Sequence, residues 1–130
     1  MGLGEFNVDP VIAVTDLSRS REFYEGKLGL VPTEGDGRDG CQYDCGEGTG
    51  LYIYPSPERA GKTTATMAGW TVPDIDAIIA ELEQKDVAMV RYDEPGLKTD
   101  ERGIFHDGDH RIAWLQDPDG NTFAISEATE

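Results

Sequence analysis

The chain has 130 residues, 38% of them apolar and 28% charged, which suits one domain with a real core. Twenty-six acidic residues against 11 basic give a net charge of −15, which excludes nucleic acid and an anionic membrane surface as partners. No apolar run approaches the roughly 20 residues that span a bilayer, and Met1 to Asn7 is short and polar, so the expected location is cytoplasmic. Cys41 and Cys45 are the only cysteines. On one strand they share a face but sit too far apart to bond easily, which points to two free thiols in a reduced compartment.

Alternation predicts a first strand over residues 8–15, with Asp9, Val11, Ala13 and Thr15 on one face. Asp16 is placed to cap a helix running through Tyr24, with Leu17, Phe23 or Tyr24, and Leu28 as its buried stripe and Gly29 as its stop. Strands follow around 30–34, 40–45 and 50–55, separated by turns at Gly35-Asp36-Gly37 and Gly46-Glu47-Gly48. Pro55 to Thr64, with two prolines, a glycine and three charges, reads as a linker over about 56–64.

The second half repeats the plan. A strand covers about 66–72 and a helix about 75–85, with Ile75, Ile78, Ile79 and Leu82 as its apolar stripe. A strand from Val87 to Tyr92 is expected next, then a polar loop from Glu94 to Asp109 of the kind that often forms a lid. A hairpin closes the chain, Arg111 to Gln116 and Thr122 to Ser126, around the turn Asp117-Pro118-Asp119-Gly120-Asn121. The two helix entries, Val14-Thr15-Asp16-Leu17 and Val72-Pro73-Asp74-Ile75, mark an internal repeat of two βα units. A repeat of this size predicts a pseudo-symmetric cleft between them.

The repeat, the Val-x-Asp entries, Phe23-Tyr24 with Leu28-Gly29-Leu30, and the Asp117 to Asn121 turn together resemble the vicinal oxygen chelate superfamily. This is the glyoxalase, bleomycin-resistance and extradiol-dioxygenase group, and the resemblance covers roughly residues 8–127. It implies an α+β fold of two βαβββ modules, about 8–55 and 66–127, forming an open curled barrel in one domain over 1–130. It also implies a homodimer. Metal-dependent members place histidine or glutamate at four strand positions. Carried onto this chain, these fall on Asp9, near Tyr52, and on Met67 and Ala124. Methionine, alanine and tyrosine are poor donors for a divalent ion, so the resemblance implies neither a metal nor another cofactor here.

With those positions facing inward, alternation adds Tyr54 and Thr71 to the wall and sends Trp70 to the helix side; Trp114 fits either face. Such a wall of small residues, tyrosines and one methionine suits an aromatic or extended organic ligand. The plainer alternative is that Tyr52 and Tyr54 are ordinary strand residues. His106 and His110 are the only histidines. Three readings are open for them: a ligand-facing or acid–base role on the loop, a non-family metal pair, or a solvated loop. Cys41, Tyr43 and Cys45 alternate onto one face and read as buried filler, a reactive thiol there needing a cationic neighbour, and Arg111 either meets a ligand carboxylate or forms a surface salt bridge. Two functions follow. One is a metal-independent protein that sequesters a small organic molecule such as an antibiotic, with Asp9, Tyr52, Tyr54, Met67, Thr71, Ala124, His106 and His110 as ligand-binding residues. The other is an enzyme, a lyase, isomerase or dioxygenase-like catalyst with a non-standard site.

Overall fold

The computed structural model describes residues 2–33 and 39–128, so the predicted turn at Gly35-Asp36-Gly37 lies outside the described residues. The chain divides into two compact units, Met1–Thr63 and Thr64–Glu130. Unit 1 contains strand β1 (Val11–Val14), helix α1 (Leu17–Arg21), a π-helical turn (Glu22–Lys27), β2 (Val31–Pro32), β3 (Cys41–Asp44) and β4 (Gly50–Pro55). Its sheet has the order β1-β4-β3-β2. Unit 2 contains β5 (Thr66–Val72), α2 (Ile75–Gln84), a short hairpin of β6 (Asp93–Glu94) and β7 (Leu97–Lys98), then β8 (Ile104–Asp107), β9 (His110–Gln116) and β10 (Thr122–Glu127). Its main sheet has the order β5-β10-β9-β8.

The same topology therefore appears twice. In each unit the first strand pairs in parallel with the last, β1 with β4 and β5 with β10, and the helix provides the crossover between them. The expected barrel is not formed. The ladders make two separate four-stranded sheets that neither close nor curl into a barrel. The reason is in the pairing: each ladder ends on strands, β1 and β2 or β5 and β8, with no further partner in the ladder.

Local chemistry explains each helix. Asp16 accepts the Arg19 amide at 3.2 Å and Asp74 accepts the Ala77 amide at 3.2 Å, so both repeats use an aspartate cap. After Arg21 the helix widens, with the Leu28 amide donating to the Phe23 carbonyl. The widened turn buries two consecutive aromatic residues, Phe23 and Tyr24, which meet edge to face at 5.4 Å. Gly29 then leaves the helix with φ +76°. The end of α2 is a Schellman motif, Val87 amide to Leu82 carbonyl and Asp86 amide to Glu83 carbonyl, with Asp86 in the left-handed region where glycine is usual.

Two expectations for unit 2 are corrected. Residues 87–92 form no strand. The segment makes a single bond to the sheet, Val90 amide to Trp114 carbonyl at 2.8 Å, because β8 already pairs with the rest of that edge of β9. Residues 94–109 are not one long loop either, since they hold β6, β7 and β8. His106 to His110 is a tight hairpin in which Gly108, with φ +60°, takes the first turn position.

The closing hairpin turns as expected. Asp117, 5% exposed, holds it with one carboxylate. Its Oδ1 accepts the amides of Asp119 and Asn121, both at 2.9 Å, and its Oδ2 accepts Asn121 Nδ2 at 2.8 Å. Asp117→Ala removes these three hydrogen bonds from a buried turn. The expected loss is about 2–4 kcal/mol of unfolding free energy, read by urea denaturation; a loss below about 1 kcal/mol would show that the turn does not need the carboxylate.

Candidate functional site

Each sheet has one face against its helix and one face free of it. In unit 1 the helix side is filled by Ile12, Val14, Cys41, Tyr43, Leu51 and Ile53, all buried. Tyr43 stacks on Tyr24 at 6.1 Å, and its hydroxyl donates to Glu25 at 2.9 Å. Burial, with that hydrogen bond, keeps the Tyr43 phenol neutral far above its ordinary range. Arg21 binds the same carboxylate at 2.6 Å and, with the phenol, holds it below the usual carboxylate range. Cys41 is buried and Cys45 half-buried, and both are free thiols.

The other face of unit 1 carries the expected residues. The register pairs Val11 with Tyr52 and Ala13 with Tyr54, so these four side chains share it. Gln42 joins them opposite Tyr52. Tyr52 is held in place: its hydroxyl donates to the Asp39 carbonyl at 3.2 Å, and its ring end lies against Gly40, where any Cβ would collide with it. Asp9 comes just before β1 and lies over Gly50, with its Oδ1 3.4 Å from where a Cβ there would stand.

In unit 2 the helix side holds Trp70, which meets Phe123 at 5.6 Å, together with Ile125, Leu115 and Ala113. The face free of α2 holds Gly69 beside Ala124 and Thr71 beside Ser126. Gln116 pairs with Thr122, which puts Trp114 opposite Ala124. Trp114 therefore belongs to this face. Tyr92 meets its ring edge-on at 5.2 Å, and Phe105 lies at 6.3 Å. Tyr92 is fixed by a double link to Thr99: its amide donates to the Thr99 hydroxyl at 2.9 Å, and its carbonyl accepts the Thr99 amide at 2.9 Å. Three half-buried rings thus stand on a surface floored by small residues. Met67 is the unpaired residue at a register shift between β5 and β10, so the ladder does not fix its face.

The histidines are separated. His106 pairs with Arg111 and His110 with Asp107 across one tight hairpin, so neighbouring pairs point to opposite faces. His110 shares the Trp114 face and His106 the α2 face. They cannot converge on one metal ion. His106, 53% exposed, meets Asp100 at 3.0 Å. Burial works against the Asp100 charge, but hydrogen bonds from His106 and from the Ile104 and Arg102 amides outweigh it and hold the carboxyl below its ordinary range.

Arg111 is committed to the protein. It makes a two-pronged contact with Glu127 at 3.1 and 2.7 Å and reaches Asp76 at 2.9 Å. Glu127 also accepts the amide of Ile75, the first residue of α2. This network ties the start of α2 to β9 and β10, and it answers the sequence alternatives in favour of a salt bridge.

The residues at the four carried-over metal positions do not fit a metal. Asp9 offers oxygen; Tyr52 has its hydroxyl on Asp39, and Met67 and Ala124 offer no hard donor. Among the described residues no three His, Cys, Asp or Glu side chains group to hold an ion.

Residues 7–125 match the model of the Glyoxalase/Bleomycin resistance protein/Dioxygenase superfamily. The chain belongs to that superfamily. Solved structures with the same fold include a glyoxalase/bleomycin resistance protein from Catenulispora acidiphila, 24% identical, with TM-score 0.69 over 95% of this chain and 99% of that one. They include the bleomycin-binding protein of Streptomyces verticillus, 21% identical, TM-score 0.67, covering 95% and 97%. They also include a lactoylglutathione lyase from Agrobacterium tumefaciens, 14% identical, TM-score 0.69, covering 95% and 93%. No curated protein matches the sequence. The superfamily thus holds both binding proteins and enzymes, and the choice between them rests on the residues of this chain.

Sequence reading missed Tyr92, Phe105 and Gln42 and left Trp114 undecided. Trp114 was within reach, because counting back from the five-residue turn places it opposite Ala124. Phe105 was hidden by reading Gly108-Asp109 as loop rather than as a two-residue hairpin turn. The Arg111 network carries a pH signature. Arg111, and the Ile75 amide after it, hold the Glu127 carboxyl below its ordinary 4.5. A depressed folded value adds stability that is complete above the unfolded value and is lost as pH falls through the folded one. Glu127→Gln is therefore expected to lower Tm near neutral pH and to flatten its decline below about pH 4.5. A melting profile parallel to wild type throughout would refute this.

Proposed function

We propose that the protein binds a flat organic molecule without a metal ion and holds it rather than transforming it. The observation that carries this is the half-buried ring group of Trp114, Tyr92 and Phe105 on the α2-free face of unit 2. Rings fixed edge to face leave aromatic surface open to stack a planar ligand, while Ala124, Gly69 and Thr71 leave room beside them. Tyr52 and Tyr54 offer a similar surface on unit 1, and His110 lies on the Trp114 face. The bleomycin-binding relative supports a binding role, and an antibiotic is the ligand class we favour. In this reading the protein is a cytoplasmic homodimer. No described helix is long and apolar enough to cross a membrane. Leu3, Phe6, Val8, Val11 and Val31 expose apolar surface that a second copy would cover.

An enzymatic reading draws on one observation, the Asp100–His106 pair, which has the arrangement of a base and its orienting acid. It ranks second because His106 points to the face opposite Trp114, away from the ring group.

Thermal-shift and calorimetric titration with bleomycin and a panel of aromatic antibiotics tests the binding reading. For a ligand found this way, Trp114→Ala is expected to cost about 1–3 kcal/mol of affinity with little change in Tm. Unchanged affinity for both that variant and Tyr52→Ala would place the ligand elsewhere. Zinc, nickel, manganese and iron salts are expected to leave Tm unmoved. The double change His106→Gln with His110→Gln separates the two readings. Affinity within about tenfold of wild type and no product supports holding; a product made by wild type and lost in the double variant, a fall of roughly 10²–10⁴ in turnover, supports an enzyme.

A further inference from the structure

Asp9 Oδ1 is buried, and among the described residues no group donates a hydrogen bond to it. Unpaired buried carboxylate oxygens are costly and rare, because burial removes solvent without supplying a donor. The other acidic groups described above show the contrast: Glu25, Asp100, Asp117 and Glu127 all accept hydrogen bonds from the chain itself. Asp9 has the surroundings of a receptor instead. Gly50 beneath it has no side chain, and Gln42 Nε2 reaches across the same spot while donating to the Tyr43 carbonyl at 3.2 Å. A Cβ at Gly50 would collide with that amide nitrogen at 2.6 Å and touch Asp9 Oδ1 at 3.4 Å, so only glycine lets Gln42 and Asp9 lie this close over β4. Tyr52, its ring end fixed against Gly40, is the next residue along β4 on the same face, about 7 Å from Gly50. Arg21 of this unit is engaged with Glu25 and does not neutralise the site.

We propose that Asp9 recognises a protonated nitrogen, ammonium, amidinium or guanidinium, on an organic ligand whose aromatic body lies along the Tyr52 face. A carboxylate with a free oxygen gains most from a charged donor, since charge-assisted hydrogen bonds are about twice as strong as neutral ones. The net charge of −15 adds long-range attraction for a cation. The inference rests on the small-molecule-binding reading and narrows it to cationic ligands.

The test compares tryptamine, protonated at neutral pH, with tryptophol, its neutral alcohol counterpart, by calorimetry on the full chain. Wild type is expected to bind tryptamine at least ~10-fold more tightly, and Asp9→Asn to remove that preference while leaving tryptophol unchanged. The Asp9 carboxyl ¹³C resonance of wild type is expected to move with tryptamine and not with tryptophol, which tests the contact even if the variant folds poorly. Equal binding of both probes, unaffected by Asp9→Asn, overturns the inference and leaves the binding reading standing. A tryptamine preference that survives Asp9→Asn, with the resonance still, assigns the effect to the acidic surface at large and also overturns it. Binding of neither probe, together with a null antibiotic screen, overturns both.

Discussion

Parallel pairing between the first and last strand of each module sets the rest of the structure. A parallel pair needs a crossover, and here the crossover is the helix that each aspartate cap starts. That helix covers one face of its sheet. Strand alternation then commits every second residue to the helix side, where Ile53, Tyr43, Phe123 and Leu115 are buried. The remaining residues occupy the open face whatever their chemistry. Tyr52, Tyr54, Trp114 and Phe105 are there because of register.

Charge is organised around the same division. On the helix side of unit 2, Arg111 sits between Glu127 and Asp76, and Glu127 also receives the first amide of α2. These carboxylates serve the fold. Asp9 Oδ1, on the open side of unit 1, receives no hydrogen bond from the described residues. A carboxylate of the first kind lowers the free energy of the folded chain, and one of the second kind raises it. A costly group retained on a face free of packing is the pattern expected where binding sets the residue.

The superfamily supports unlike activities on one scaffold, so the scaffold does not choose between holding a ligand and transforming it. The residues do. Where metal-dependent members need four donors, this chain supplies one carboxylate, a phenol already bonded to the backbone, a thioether and a methyl group. Its two histidines, close in sequence, are divided by the pleat of a hairpin. The open faces carry aromatic surface, small residues and Asp9, whose Oδ1 has no partner among the described residues.

Both helices, their caps, the closing turn and most strands were legible in the sequence, because caps, turn residues and alternation are local signals. Asp16, Asp74 and the Asp117 to Asn121 turn each act within a few residues. The π-helical turn that buries both Phe23 and Tyr24 was not legible, since it depends on what the sheet offers beneath them. The segment 87–92 has strand-like composition, but strand formation needs a free edge, and β8 had taken most of it. The curled barrel failed for the same reason: hydrogen-bond partners between distant strands are not written in any one of them. The repeat, the superfamily and the residues that each strand carries can be read along the chain. Which carboxylates find partners, how the sheets end, and the gathering of Tyr92 and Phe105 on Trp114 emerge on folding, because each depends on groups far apart along the chain.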